Sequence, residues 1–314
     1  MDEKPLVSIA LCTYNGERFL KEQLDSIVNQ SYSNIELIAV DDCSSDSTLK
    51  ILRDYAEKYP FIKVFSNTEN LGYIRNFEKA MRLCNGPLIA LSDQDDIWSS
   101  DKIEKQVQSI GNNMLIYHDS EFIDQQGKSL NKYMSDVMNL YRGDEPEVFL
   151  FFNCISGHSV LLKKELLDKM LPFPDAYFHD WWMGYVATNA GSIDYISEAL
   201  VKYRQHENAD TNILKRDLKK RKKAGIKSSE LYKRKVQWLK SCAEYPFNKN
   251  TKLIKKIYEE IIKNDSTYIS AGLAKLIYLN RSLLFKINKK SNYSKLNFIL
   301  KEIWGGKIRK LFSL

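Results

Sequence analysis

The sequence predicts an α/β fold: a mostly parallel, Rossmann-like sheet flanked by helices, followed by a basic helical C-terminal region. Three observations carry this. Short apolar runs alternate with stretches of helical spacing through the first hundred residues. The strand-like runs are apolar at successive positions, the pattern of strands buried on both faces in a parallel sheet. Charge also changes sign along the chain. Residues 1–201 hold 18 Lys+Arg against 31 Asp+Glu (net −13) and residues 202–314 hold 29 against 9 (net +20), which together give the overall +7.

The elements follow in order. Residues 6–13 (LVSIALCT) form a buried strand that ends in the turn Tyr14-Asn15-Gly16. Phe19, Leu20, Leu24, Ile27 and Val28 recur at helical spacing within 17–30. Residues 35–40 (IELIAV) are a second strand, stopping at Asp41-Asp42. Asp46 or Ser47 then caps a helix running to about residue 58. A strand at 62–66, a loop at 67–72, a helix at 73–83 and a strand at 87–92 (PLIALS) complete the alternation, and the last strand runs into Asp93-Gln94-Asp95-Asp96. Further strands are expected at 115–123, at SVLL (159–162), at 192–196 and at 200–204, with helices at 164–170 and from His179 through Val186. The predicted domains are 1–208, carrying catalysis, and 209–314, basic and helical. The 314 residues, 44% of them apolar, suffice for one large or two modest domains. The five cysteines have no Cys-x-x-Cys spacing and read as reduced thiols.

In a parallel sheet ligands bind beyond the carboxyl ends of the strands. Thr13-Tyr14-Asn15, Asp41-Asp42 and Asp93 to Asp96 all fall there. Asp-x-Asp alone fits a solvated acidic turn. At a strand end, followed by Trp98, it favours two carboxylates sharing a hard cation, Mn²⁺ or Mg²⁺, with a substrate diphosphate. Asp41-Asp42 suits a nucleobase or ribose donor, or equally the N-terminus of the following helix. His179-Asp180-Trp181-Trp182 sets a carboxylate beside two aromatics, either a sugar-holding base or a helix cap with two core tryptophans. His206 reads as a metal ligand, a diphosphate donor or a structural histidine, and Arg75 as a nucleotide contact or a solvated helix residue. Neither Gly-x-Gly-x-x-Gly after the first strand nor a Gly-x-x-x-x-Gly-Lys-Ser/Thr loop is present, which argues against dinucleotide and P-loop folds.

The stretch VSIALCTYNGERFLKEQLDSIVNQSYSNIELIAVDDCSSDST resembles the opening of the family 2 glycosyltransferases. NTENLGYIRNFEKAM and LIALSDQDDIW are similar to that family's next two blocks. SDQDDIW with HDWW and YRQH resembles its rhamnosyltransferase-like branch, which builds bacterial surface polysaccharides. The resemblance covers about residues 6–206. It implies a GT-A fold and an inverting transfer from a dTDP- or UDP-linked sugar to a saccharide or lipid-linked saccharide. It also implies residue roles. Thr13, Tyr14, Asn15, Asp41, Asp42, Arg75, Asp93 and Gln94 would bind the nucleotide, with Asp93 at the ribose. Asp95 and His206 would hold the metal, Asp180 would be the general base, and His179, Trp181 and Trp182 would bind the acceptor. The family often has Glu-Asp where this chain has His179-Asp180; the aspartate is retained.

Past residue 210 apolar positions such as Trp238, Ile254, Ile257, Ile261, Leu296, Leu300, Trp304 and Leu311-Phe312 recur among lysines, including the run Lys219 to Lys223. They fit docking on an anionic membrane surface or a helical bundle with a basic face. Aromatics and basic residues are not interleaved in a repeated motif, so nucleic acid is not an expected partner. The acidic start Met-Asp-Glu-Lys-Pro is unlike a signal peptide, and no run of about 18 apolar residues occurs. The expectation is a cytoplasmic protein, peripheral at the inner face of the plasma membrane. The competing reading is a non-catalytic sugar-nucleotide-binding or assembly protein. Retention of Asp93, Asp95 and Asp180 argues against it.

Overall fold

A computed structural model describes residues 4–175, 177–206 and 228–308. The expected helical onset at 210, the run Lys219 to Lys223 and Leu311-Phe312 lie outside the described residues. What is described falls into two compact units. The first is 4–144 with 155–206, the second 145–154 with 228–308. Residues 145–154, inside the first predicted domain in sequence, thus belong to the second unit.

The first unit is built on β1 (Val7–Thr13), α1 (Leu20–Val28), β2 (Ile35–Asp41), α2 (Thr48–Lys58), β3 (Ile62–Ser66), α3 (Tyr73–Leu83) and β4 (Leu88–Ser92). The predicted alternation holds throughout. These strands run parallel in the order β3-β2-β1-β4. Every residue of β1 is buried because helices cover both faces of the sheet. α1 lays Leu20, Leu24 and Ile27, all fully buried, along one stripe against that sheet. Each contributes about 1.5–3 kcal/mol by burial, and Leu24→Ala is expected to cost about 2–5 kcal/mol. The register pairs Thr13 with Asp41 and Asp41 with Ser66, so the polar residues at the strand ends come level on one edge.

Beyond β4 the sheet becomes mixed. β5 (Ile97–Trp98), α4 (Lys102–Ile110), β6 (Leu115–Ile123), β7 (Ser129–Tyr133), α5 (Met134–Val137), β8 (Leu161–Lys163), α6 (Leu167–Met170), α7 (His179–Ala190) and β9 (Ile193–Arg204) follow. The sheet continues β4-β8-β6-β9-β5, with β7 on β6. β8 is antiparallel to β4 and β6, while β9 is parallel to β6. The two strands expected at 192–196 and 200–204 are one. Its pairing with β6 slips around Asp119, and that slip breaks the apolar alternation near Glu198. Four further elements went unassigned from sequence: α4, which buries Ile103 and Ile110, the two-residue β5, and the consecutive β7 and α5. β5 pairs antiparallel with β9 and draws the acidic turn at 93–96 against the end of that strand.

The second unit is helical: α8 (Ser228–Glu244), α9 (Thr251–Asp265), α10 (Gly272–Leu279), α11 (Arg281–Leu284) and α12 (Asn292–Lys301). Asn250 caps α9 by accepting from the Leu253 amide at 3.4 Å. Ile254, Ile257 and Ile261 form its buried stripe. Trp238 is buried and donates its indole N–H to the Leu150 carbonyl at 3.1 Å, while Phe152 packs on Phe285 and Phe298. Part of the apolar pattern after residue 210 therefore makes a bundle core. Leu296, Leu300 and Trp304 remain exposed. Among the described residues no helix is long and apolar enough to cross a membrane.

Candidate active site

The ends of β1 and β2 are joined by side chains. Thr13 Oγ1 donates to Asp41 Oδ1 at 2.9 Å, and Asp41 also accepts from the Ser44 amide (2.9 Å) and hydroxyl (2.6 Å). Asp42 accepts from Asn67 Nδ2 at 2.7 Å and from the Leu71 and Gly72 amides at 2.8 Å each. Both carboxylates are buried. They organise the surrounding loops, and Asp42, with about four acceptor positions, keeps roughly one for a further donor. Asn15 takes a left-handed backbone (φ 48°), which Asn tolerates better than most residues, and its Oδ1 accepts from the Ser45 amide at 2.9 Å. Gln94 spans to the same loop: its Oε1 accepts from the Tyr14 amide (2.8 Å) and its Nε2 donates to the Tyr14 carbonyl (3.0 Å). That approach requires Gly16, where a Cβ would stand 2.1 Å from Gln94 Oε1. The amide of Gln94 is thereby occupied with the peptide of Tyr14, a residue left 48% exposed.

The acidic turn presents its carboxylates to different surroundings. The Asp93 side chain is 39% exposed, Asp95 17% and Asp96 0%. Asp95 Oδ2 lies 2.7 Å from His206 Nε2, and the His206 ring packs on Phe19 with centroids 5.2 Å apart. Asp96 Oδ1 accepts from the Arg204 amide at 3.0 Å, and the Asp95 carbonyl accepts from Arg204 Nε at 2.8 Å. These bonds tie the turn to the end of β9 and set His206, two residues on, beside Asp95.

Behind the turn lies a closed polar cluster that sequence reasoning missed. His158 Nδ1 is 3.5 Å from Asp96 Oδ2 and 3.9 Å from Asp93 Oδ2, and its Nε2 shares a 2.8 Å hydrogen bond with Ser120 Oγ. Asp96 Oδ2 and Lys102 Nζ have no hydrogen-bond partner among the described residues, and Lys102 Nζ sits 3.3 Å from the Trp98 ring centroid. Burial, reinforced by the charges of Asp95 and Asp93, pushes the Asp96 carboxyl well above its usual range. Burial likewise pushes the Lys102 amine down and His158 to about 3, so the cluster favours neutral forms. In the sequence His158 stands alone before the apolar run at 160–162, with no motif around it to single it out.

The remaining predicted residues sit around α3 and α7. Arg75 Nη1 donates to Glu78 Oε2 (2.8 Å) and to the Phe173 carbonyl (3.1 Å), and Nη2 pairs with Asp175. It fastens α3 to the 173–175 loop, so its guanidinium is already engaged. Asp180 is the second residue of α7 and partly exposed. Trp181 packs edge-on against Tyr177 at 4.6 Å. Trp182 is buried, with its indole N–H donating to the Met170 carbonyl at 2.9 Å, so it packs as a core side chain. His179 is also buried, stacked on Phe77 (4.6 Å) and flanked by Tyr73 and Phe173. Burial pushes its pKa down to about 4. A Cβ at Gly157 would lie 3.1 Å from His179 Nε2, so the start of α7 abuts the residue next to His158.

Which residues would fit a divalent cation follows from the donor atoms. Asp95 and His206 offer a carboxylate oxygen and an imidazole nitrogen at the mouth of the turn. Asp93, Asp96 and His158 offer donors all within 4.8 Å of one another. Both sets suit Mn²⁺ or Mg²⁺ in kind, and the unpartnered Asp96 Oδ2 marks an unsatisfied ligand atom.

A parallel-dominated sheet with acidic residues gathered at its carboxyl edge, followed by helices, is the architecture of GT-A glycosyltransferases. The fold matches S. aureus TarS 1-349 in complex with UDP-GlcNAc (TM-score 0.59, 16% identity, 95% of this chain and 81% of that one). It also matches the mannosyltransferase PcManGT of Pyrobaculum calidifontis in complex with GDP-Man and Mn²⁺ (TM-score 0.55, 16% identity, 99% and 88%). Residues 8–171, just over half of the 314, match the glycosyl transferase family 2 model, and the chain belongs to that family. Among its relatives, an uncharacterized glycosyltransferase of Methanocaldococcus jannaschii is 32% identical over 64% of this chain and 71% of its own length. The dTDP-rhamnosyl transferase RfbG of Shigella flexneri is 28% identical over 72% and 82%.

Proposed function

We propose that this glycosyltransferase moves a sugar from a dTDP- or UDP-linked donor to a saccharide acceptor, carried on a lipid, with inversion at the anomeric carbon. The setting is bacterial surface-polysaccharide synthesis, and rhamnose is the first sugar to test, since RfbG is named for it. The observation that carries the reading is the convergence at one sheet edge of Thr13, Asp41-Asp42 and the acidic turn, with His206 held at Asp95. In it, Thr13, Tyr14 and Asp42 face the nucleobase and Asp93 the ribose. Asp95 and His206 hold Mn²⁺ or Mg²⁺, which when bound supplies positive charge where the leaving diphosphate grows negative. Asp180 takes the proton of the acceptor hydroxyl as that oxygen bonds to the anomeric carbon. The carbon–oxygen bond to the diphosphate breaks on the opposite face, and the diphosphate leaves with the electron pair. Trp181 borders the acceptor. The second unit rests on an anionic membrane surface, which places the enzyme at the inner face of the plasma membrane beside a lipid-linked acceptor.

The test is release of nucleoside diphosphate from a panel of nucleotide sugars, with Mn²⁺ or Mg²⁺ and with membrane extract as acceptor source. Release from one donor, lost with a chelator and lost in Asp95→Ala, supports the reading. Chelator-insensitive release, undiminished in Asp95→Ala, would overturn the metal assignment. No release from any donor would overturn the transfer itself.

A further inference from the structure

Residues 266–308 hold eight Lys+Arg and a single acidic residue, Glu302. That carboxylate is buried and paired with Lys235 at 2.6 Å, so it presents no negative charge at the surface. The same stretch leaves Tyr278, Leu279, Tyr293 and Leu296 between 46% and 75% exposed. Large apolar and aromatic side chains gathered on a cationic surface mark a binding face.

Within this stretch, α10, α11 and α12 enclose an open cavity of about 490 Å³. Phe285, Leu296 and Ile299 make its apolar lining, and Tyr278, Arg281 and Lys295 its polar one. The Arg281 guanidinium stacks over the Tyr278 ring at 4.3 Å and donates one N–H to the Tyr278 carbonyl at 2.9 Å. That contact orients the fork and leaves its other donors available. Neither Arg281 nor Lys295 has a carboxylate partner among the described residues. The occupant that matches must bring negative charge and hydrocarbon together. A free phosphate or nucleotide meets the cations but leaves the exposed leucines and tyrosines in water. A phospholipid meets both, with tyrosines at headgroup depth and lysines on anionic lipid.

We propose that this cavity seats the phosphate headgroup and adjoining acyl carbons of an anionic phospholipid. The proposal rests on the membrane attachment put forward above and turns it into a defined lipid site.

The test is sedimentation of the full chain with phosphatidylcholine vesicles, and with vesicles in which part of that lipid is replaced by phosphatidylglycerol. The parent protein should bind the anionic vesicles and hardly bind the neutral ones. Arg281→Ala/Lys295→Ala should weaken anionic binding about thirtyfold, taking roughly 1 kcal/mol per cation. Tyr293→Ser/Leu296→Ser should weaken it with both cations retained. All four positions are outside the bundle core, and unchanged thermal unfolding of each variant checks its fold. Anionic binding as tight in the double alanine variant as in the parent would overturn the site. So would displacement from vesicles by millimolar inorganic phosphate, which would make it a free-phosphate site. Nucleoside-diphosphate release is measured on the same samples. Vesicle binding without release from any donor sinks the transfer reading alone, and release with no preference for anionic vesicles sinks the lipid site alone.

Discussion

Asp95 meets His206 at 2.7 Å with both side chains partly open to solvent, whereas the next residue, Asp96, faces His158 at 3.5 Å with both closed off. The two pairs share one turn and nearly the same chemical groups, yet burial separates their behaviour. One carboxylate stands at the partly open mouth of the turn and the other is closed off behind it. The open pair can exchange its hydrogen bond for a ligand at little desolvation cost. The closed pair has already lost its water, and its charged forms are penalised. Through the Arg204 amide the closed aspartate fixes the end of β9, and with it His206. The buried pair thus holds the geometry that the open pair uses.

The sharpest way to break this division is Asp95→Ala. It should lower donor turnover about a thousandfold, as expected for several kcal/mol of lost charge stabilisation, while thermal unfolding stays at the parent value. A drop in melting temperature as large as that of an Asp96 variant would erase the distinction. Next comes Asp180→Asn, expected to slow transfer roughly a hundredfold or more with donor affinity retained in a titration. Transfer at the parent rate would assign the base elsewhere. His158→Ala should act in the opposite sense to Asp95→Ala. It strands Ser120 Oγ and further isolates Asp96, costing about 2 kcal/mol in urea unfolding, with a smaller effect on turnover.

The smallest effect concerns pH. His158 and His179 titrate near 3 and 4 in the folded chain, below their ordinary 6.5. Between those values the unfolded chain takes up protons that the folded chain refuses, so stability falls as pH drops from about 6.5 towards 4. His179→Phe, in a cage already lined by Tyr73, Phe77 and Phe173, should remove one proton from that slope. The expected saving is up to about 1.4 kcal/mol per pH unit, read from urea midpoints at about pH 4.5, 5.5 and 7. An unchanged slope would mean that His179 protonates in the folded state.

Much of this molecule was legible in one dimension. The first seven elements could be read because β1, β2 and β4 are mostly apolar runs and α1 and α3 carry clear stripes. Strand-end positions followed, and so did the gathering of Thr13, Asp41-Asp42 and the acidic turn. After β4 the local signal weakened. β5 has two residues and no periodicity, β9 is interrupted by its register slip, and residues 145–154 join a unit whose other described members begin at 228. Trp182 shows the same limit. As a letter it suits a sugar as well as a core, and its burial against Met170 decides for packing.

The chain by itself determined its α/β alternation, its charge reversal and which carboxylates stand at strand ends, because these depend on local periodicity and on the parallel-sheet rule. Only the tertiary structure decided which carboxylate meets which histidine. His158 and His206 come from segments 62 and 111 residues beyond their aspartates. His206 reaches Asp95 because β5 lies against β9, and His158 reaches Asp96 because β8 pairs with β4; both are long-range contacts with no local pattern to announce them.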